Sequence, residues 1–391
     1  MARPATREAR SGTAEVITDP HRLGEIEADW RSLAERRGNA FLTPEWYFAW
    51  LRSYGAHADP AVIAVRTPAG DLRGIMPLAR DGAARPRSLR FGGANLADHL
   101  HPVTASSEEE EAVAAAAGAS LGAGISGWSA IVLDNVDADA GWWRAMMSAA
   151  PLSLAAVSYR QTTLPCIQLP TTWETYLASR SRNFRSQLGR KLRALERNHE
   201  VRFRRTQAAP ELASDLETFF RLHDARWESR GGSSSASERT RKFHADFTAA
   251  ALQRGWLRLW LMEVDGDPVA AWYGWRLGER YSYYLAGFEP RWSDASVGLL
   301  LLAHTVHEAI DEAASEYDLL LGEETYKQRF ATGTRPVETV ILARSFHPMR
   351  LLAAAEATLW RAHRRLPPRI RERSRSIFGG VRRLLPSFRR R

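Results

Sequence analysis

Apolar residues recur along this chain at two spacings, every three to four residues and every second residue, and the switches between them mark out its elements. Val16-Ile17 reads as a short strand, and across residues 21–36 Leu23, Ile26, Trp30 and Leu33 fall on one helical face. Thr43-Pro44 opens a second helix through Trp46, Tyr47 and Trp50, with Thr43 as N-cap and proline in the first turn. Residues 61–66 and 72–80 alternate like strands around Thr67-Pro68-Ala69-Gly70-Asp71, a hairpin connection. Residues 111–123 carry a helical pattern and 129–133 a strand pattern, while 161–170, with two prolines, read as a linker.

The second half repeats the theme. A helix at 173–179 leads into a longer one in which Phe184, Leu188, Leu192 and Leu195 form a stripe, with Arg182, Arg190, Arg193 and Arg197 largely on other faces. That distribution fits a solvated basic face or a surface for an anionic substrate, and Lys191 at the stripe's edge fits snorkelling. The helix expected over 210–230 holds Phe219, Phe220, Leu222, His223, Arg226 and Trp227, and one over 238–254 precedes a hairpin, 257–264 and 268–275, around Asp265-Gly266-Asp267. The two Gly-Asp turns lie about half a chain apart, which suggests two similar halves. An aromatic strand ending near Phe288, a helix starting near Ser296, a short strand at 317–321, Gly322-Glu323-Glu324-Thr325-Tyr326-Lys327 and a last strand at 337–343 follow. A helix that starts directly after a strand offers unpaired backbone N–H groups to an anionic phosphate.

Charge changes the picture only when it is located. The 391 residues carry a formal charge of +9, but residues 361–391 hold twelve arginines against one acid, Glu372, so the body is nearly neutral. A nucleic-acid groove in the body is therefore not expected. Residues 350–366 can form an amphipathic helix, and the arginine-rich remainder, with Ile377, Phe378, Leu384, Leu385 and Phe388, suits either an anionic membrane surface or a solubilising tail. Cys166 is the only cysteine, which excludes an intrachain disulfide and any cysteine-based zinc site. The first residues lack the apolar stretch of a secretory signal and no run is long enough to span a membrane, so a cytoplasmic protein, peripheral at the inner membrane face if the tail attaches, is expected.

The order of elements, with four stretches in particular, resembles the GNAT fold of N-acetyltransferases. These are residues 41–54 (FLTPEWYFAWLRSY), 91–103 (FGGANLADHLHPV), 219–232 (FFRLHDARWESRGG) and 285–330. More narrowly the chain is similar to BioF-like acetyltransferases of the CelD/BcsL cellulose-biosynthesis type, related to the FemAB peptidoglycan transferases, with Gly322, Glu324, Tyr326 and Lys327 as the most specific element. The resemblance covers residues ~15–345 and implies an α/β chain of tandem GNAT-like domains, each a mixed sheet flanked by helices, at 14–165 and 166–345, followed by a basic tail at 346–391. It further implies an acyl-CoA donor, usually held by the C-terminal half, no metal, and an amino sugar, amino acid or glycan precursor as acceptor, with a link to exopolysaccharide or cellulose synthesis. An aminoacyl-tRNA-dependent transferase and a non-catalytic assembly factor are the alternatives.

Acyl transfer to an amine requires a neutral nucleophile, a place for the oxyanion and an acid for the thiolate. Tyr326 suits the acid, Glu323 or Glu324 the base, and Lys327 an anchor for a carboxylate or phosphate on the acceptor; a core tyrosine and solvated turn charges fit the same residues. His223 and Arg226, at i, i+3, share a helical face and with Trp227 are expected at the acceptor cleft, with Asp98 contributed by the first half. Arg291, Ser296, Val297 and Gly298 are expected at the donor's pyrophosphate, although the loop departs from the superfamily's Arg/Gln-x-x-Gly-x-Gly/Ala pattern. His99 and His101 make a poor metal pair, His304 and His307 suit helix packing, and no Gly-x-Ser-x-Gly elbow occurs.

Overall fold

The computed structural model describes residues 13–81, 87–228, 237–322 and 325–364. The chain divides into one unit of residues 1–162 with 336–391 and a second of 163–335. It returns to the first unit at residue 336, before the domain end expected at 345.

The first unit comprises β1 (Thr13–Ile17), α1 (Pro20–Glu25), α2 (Glu27–Arg37), α3 (Pro44–Tyr54), β2 (Ala58–Arg66), β3 (Leu72–Asp81), β4 (Ser88–Phe91), β5 (Val103–Thr104), α4 (Glu110–Gly124), β6 (Ala130–Asp137) and α5 (Trp142–Ala149). β7 (Ala155–Gln168) then carries the chain into the second unit: α6 (Trp173–Ala178), α7 (Arg182–Glu196), β8 (Val201–Arg205), α8 (Ala209–Glu228), α9 (Glu238–Gln253), β9 (Leu257–Val264), β10 (Asp267–Leu277), β11 (Arg280–Phe288), α10 (Val297–Asp311), β12 (Glu316–Asp318) and α11 (Thr325–Phe330). β13 (Gly333–Ala343) leads back, and α12 (Pro348–Arg364) closes the described chain. Among the described residues no helix is long and apolar enough to cross a membrane.

Each unit is built the same way. In the first, the strand order is β1-β2-β3-β4-β6-β13, antiparallel except for β4 beside β6. In the second the order is β8-β9-β10-β11-β12-β7, antiparallel except for β11 beside β12. One helix crosses over each parallel pair, α4 in the first unit and α10 in the second.

Several local expectations hold for the reasons given. Thr43 Oγ1 accepts from Trp46 N, a cap worth about 1 kcal/mol. Asp265 and Gly266, at φ 52° and 85°, make the β9–β10 turn. The stripe of α7 buries Phe184, Leu188 and Leu195 in a core with Trp272, Tyr317 and the inner face of α10.

Others are corrected. The helix expected over 21–36 is two helices, because Ile26 leaves the helical conformation one turn after the proline start; its stripe survives, with Leu23, Ile26, Trp30 and Leu33 all buried. The expected linker at 161–170 is mostly β7. Leu164, Cys166 and Ile167 are buried there, and Pro165, which has no N–H, still accepts from Leu319 N through its carbonyl (3.0 Å). β8 escaped notice because three of its five residues are arginines; Arg204 pairs with Asp215 and Glu263, and Arg205 with Glu312. β12 stops at Asp318 rather than Leu321.

Candidate active site

The parallel pair of the second unit is short, and its shortness creates the site. β11 and β12 match at only three positions, Arg280↔Glu316, Tyr281↔Tyr317 and Ser282↔Asp318. β12 then turns away, with Leu319 bonded to Pro165 and Leu320 held at φ 54°, a costly conformation for leucine. β11 runs on along β10 to Phe288. Gly274 pairs with Tyr283 and Tyr273 with Leu285, so Tyr284 is an extra residue in β11, a bulge that bends the strand just past its last contact with β12. Two bends in neighbouring strands open a wedge between them.

α8 lies against the free stretch of β11. Gly287 permits the approach, since a Cβ there would meet the His223 nitrogen at 2.2 Å and the Leu222 carbonyl carbon at 2.4 Å. His223 Nδ1 and Arg226 Nη1 both donate to the Ala286 carbonyl, at 3.0 and 3.1 Å. A carbonyl only accepts, so the ring hydrogen sits on Nδ1 and Nε2 keeps its lone pair. Burial lowers the His223 pKa, with the bond to Ala286 only partly opposing it, which keeps the imidazole neutral at pH 7.

Beyond His223 the phenol oxygens of Tyr283 and Tyr326 are 2.7 Å apart. Burial opposes the charge on Arg226, but hydrogen bonds and attraction from these two phenols outweigh it and hold the guanidinium above its ordinary pKa. The same guanidinium lies 5.2 Å from the Trp227 ring centre, 5.4 Å from that of Phe288 and 5.9 Å from that of Tyr326. Lys327 is buried; its Nζ donates to the Leu321 carbonyl (2.8 Å) and lies 5.0 Å from the Tyr283 ring centre. It ties α11 back to the segment that follows β12.

At the Phe288 end of β11 stands the start of α10. Ser296, the N-cap, adopts φ 60° and ψ 40°, makes no side-chain cap, and is followed by a first turn without acid; Leu299 N and Leu300 N donate to the Ser296 carbonyl and Val297 is fully buried, so an anion would meet this end at the half-buried Gly298. Gly298 faces Phe288, whose Cδ1 would lie 3.2 Å from an added Cβ. Val297 is fully buried, backbone included, and Arg291 is exposed on the turn Pro290–Trp292. Next to this loop is a groove of about 510 Å³ lined by Arg190, Lys191, Arg197, His199, Trp292 and Asp294. Lys191 Nζ donates to the Asp294 carbonyl (2.5 Å).

The structure thus brings His223, Arg226, Trp227, Tyr326 and Lys327 together, and sets Arg291, Ser296, Val297 and Gly298 along one loop. Asp98 lies in the first unit, half-buried in the loop between β4 and β5. Glu323 and Glu324 lie outside the described residues. Sequence reasoning missed Tyr283, although the alternation of β11 puts it on the same strand face as Tyr281, and it treated Arg190 and Arg197 as one basic face without locating the loop they border.

Residues 182–328 match the family model described as "Acetyltransferase (GNAT) domain". No curated protein matches the chain. Among solved structures it is similar to FemX, with a TM-score of 0.58 and 13% identity over 81% of this chain and 95% of that one. It is similar also to L-PGS from Bacillus licheniformis, with a TM-score of 0.51 and 10% identity over 88% and 97% of the two chains. A third is a conserved protein of unknown function from Bacteroides thetaiotaomicron VPI-5482, with a TM-score of 0.55 and 10% identity over 85% and 99%. At these identities the likeness concerns the fold. The chain has the mixed α/β fold of tandem GNAT-like domains, and its residues 182–328 are the part that matches the acetyltransferase (GNAT) domain model.

Proposed function

We propose that the protein is an acyl-CoA-dependent N-acyltransferase acting on an amino sugar, amino acid or glycan precursor. The observation that carries this reading is the wedge between β11 and β12, with the phenols of Tyr283 and Tyr326 and the Arg226 guanidinium beside it at the β11 edge. The chain has the features an acyl-CoA requires. The uncapped start of α10 at Gly298, with the cations of the neighbouring groove, fits its phosphates, and the β11 edge beyond Ser282 can pair with an extended arm.

Acyl-CoA, when bound, supplies an activated thioester. His223 Nε2 is the lone pair available to take a proton from the acceptor's ammonium or from the attacking amine. Tyr326 holds a proton at its phenol oxygen for the leaving sulfur; Arg226 and the Tyr283 hydroxyl favour the negative charge that this transfer leaves behind. Calorimetric titration of the full chain with acetyl-CoA, longer acyl-CoAs and free CoA tests the donor, and an amine screen with Tyr326→Phe as control tests the chemistry.

One observation favours a second reading. His223 and Arg226 already occupy the Ala286 carbonyl, so the β11 edge has one acceptor fewer for a pantetheine arm. An aminoacyl-tRNA has no such arm, and a FemAB-like transferase would use the same phenols and base. Transfer from charged tRNA with no heat from any acyl-CoA selects that reading; failure of both leaves the non-catalytic assembly factor.

A further inference from the structure

Arg204, Arg205, Arg258, Arg276, Arg280 and Arg335, all on strands of the second unit, each hold a carboxylate. Arg190 in α7 and Arg197, the C-cap of that helix, do not. Both are exposed, and neither has an ion-pair or side-chain hydrogen-bond partner among the described residues. They line the groove of about 510 Å³ beside the loop from β11 to α10, in which Asp294 is the one acid. The other basic groups there are engaged: Lys191 Nζ donates to the Asp294 carbonyl, and His199 Nδ1 lies 2.6 Å from Asp265 Oδ2.

The groove has a fixed frame and an aromatic wall. Phe184, Leu188 and Leu195 of α7 are buried in one core with the inner face of α10, and the Lys191 bond ties the helix to the loop. From that loop comes the half-buried Trp292, which meets the His199 ring edge to face with centres 5.2 Å apart. An indole beside two unpaired guanidiniums suits a ligand that is flat and aromatic at one end and anionic at the other. Inorganic phosphate would leave the indole unused, and an acyl chain would leave the guanidiniums unused. A nucleoside that carries a phosphate uses both, because any base can stack on an aromatic face and the forked N–H groups of arginine match phosphate oxygens. The volume is that of a small-molecule site. The arginine-rich residues 365–391 lie outside the described residues, and the site does not draw on them.

We propose that this groove binds a phosphorylated nucleoside, with the base against Trp292 and the phosphate on Arg190 and Arg197. Its source rests on the acyl-CoA reading: the nucleoside is the 3′-phosphoadenosine of the donor, and the protein selects CoA over the 3′-dephospho form. The end of an RNA is the other source of the same chemistry.

Isothermal titration of the full chain with adenosine 3′,5′-bisphosphate, which has neither thiol nor pantetheine arm, tests the site apart from the acyl chemistry. Saturable binding is expected, at least about tenfold tighter than that of inorganic phosphate. Arg190→Gln with Arg197→Gln should weaken it at least about tenfold, and Trp292→Leu by a similar factor. Both arginines are exposed, so the double variant should keep the circular dichroism spectrum of the parent. CoA should displace the bisphosphate about tenfold better than 3′-dephospho-CoA, a preference that the double variant loses. No binding of the bisphosphate, undiminished binding by the double variant, or equal displacement by CoA and its 3′-dephospho form would overturn the proposal. If CoA binds and the bisphosphate does not, the acyl-CoA reading survives and the groove assignment falls. If the bisphosphate binds and tRNA displaces it where CoA does not, the site stands and the acyl-CoA reading falls.

Discussion

The two units share a plan and differ where it matters. In each, two strands run parallel for three residue pairs and one helix crosses over between them: β4 with β6 (Ser88↔Ala130, Leu89↔Ile131, Arg90↔Val132) around α4, and β11 with β12 around α10. In each, the second strand then reaches a residue of positive φ, Asn135 at 50° and Leu320 at 54°. In the first unit the chain fills the resulting gap itself. The loop after β4 returns so that Leu100 N donates to the Asn135 carbonyl (3.1 Å) and Asn135 Nδ2 to the Ala97 carbonyl (2.9 Å). Its crossing helix begins with Glu110 and Glu111, and Glu110 is paired with Arg37 at 2.6 Å. Among the described residues of the second unit no such backbone bond spans the gap, the crossing helix begins without an acid, and cations line the adjoining groove. One topology thus gives a closed, acidic end and an open, cationic one. In the reading proposed above, the second is the one that takes an anionic donor.

This contrast can be broken at named positions. Gly298→Glu puts a carboxylate at the open helix start and a side chain against Phe288; donor affinity should fall about 10³-fold by calorimetry, while Glu111→Gln at the matching helix of the first unit leaves it within about twofold. Gly287→Ala drives a methyl group into the backbone of α8 and should destabilise the second unit by about 3 kcal/mol in urea unfolding. Tyr326→Phe should lower kcat roughly 10²-fold with donor affinity unchanged, since the hydroxyl acts on the leaving group and not on the phosphates.

A pH profile sharpens the comparison further. With His223 as the proposed base and its pKa lowered by burial, the rate should be level near pH 7 and fall about tenfold per pH unit only below 6.5; His223→Gln should remove that limb. The smallest effect is expected in the first unit. Asn135→Gly keeps the backbone conformation but removes the bond to Ala97, at a cost of about 1 kcal/mol and with no gain of donor binding.

Much of this was legible in the sequence because hydrophobic period and turn chemistry are local. Thr43-Pro44, the two Gly-Asp hairpins and the stripe of α7 each declare themselves within a dozen residues. The elements that escaped depend on distant partners. β8 has the composition of a solvated segment until Asp215, Glu263 and Glu312 neutralise it, and β7 carries a proline, Pro165, whose carbonyl still finds a donor in Leu319 N. The candidate site divides the same way. Tyr326, Lys327 and the α10 start stood out in one contiguous stretch, whereas the Tyr283–Tyr326 contact spans 43 residues and follows from a bulge at Tyr284 that no local pattern announces. The turning of Lys327 inward, onto the Leu321 carbonyl, likewise needed the fold.

The central claim is that the open wedge of the second unit, and not its filled counterpart in the first, holds the donor. Isothermal titration calorimetry of the full chain with acetyl-CoA, and of the Gly298→Glu variant beside it, addresses that claim through stoichiometry and loss together. One saturable site per chain that disappears in the variant is the predicted result; two sites per chain, binding that survives the substitution, or no binding at all would contradict it.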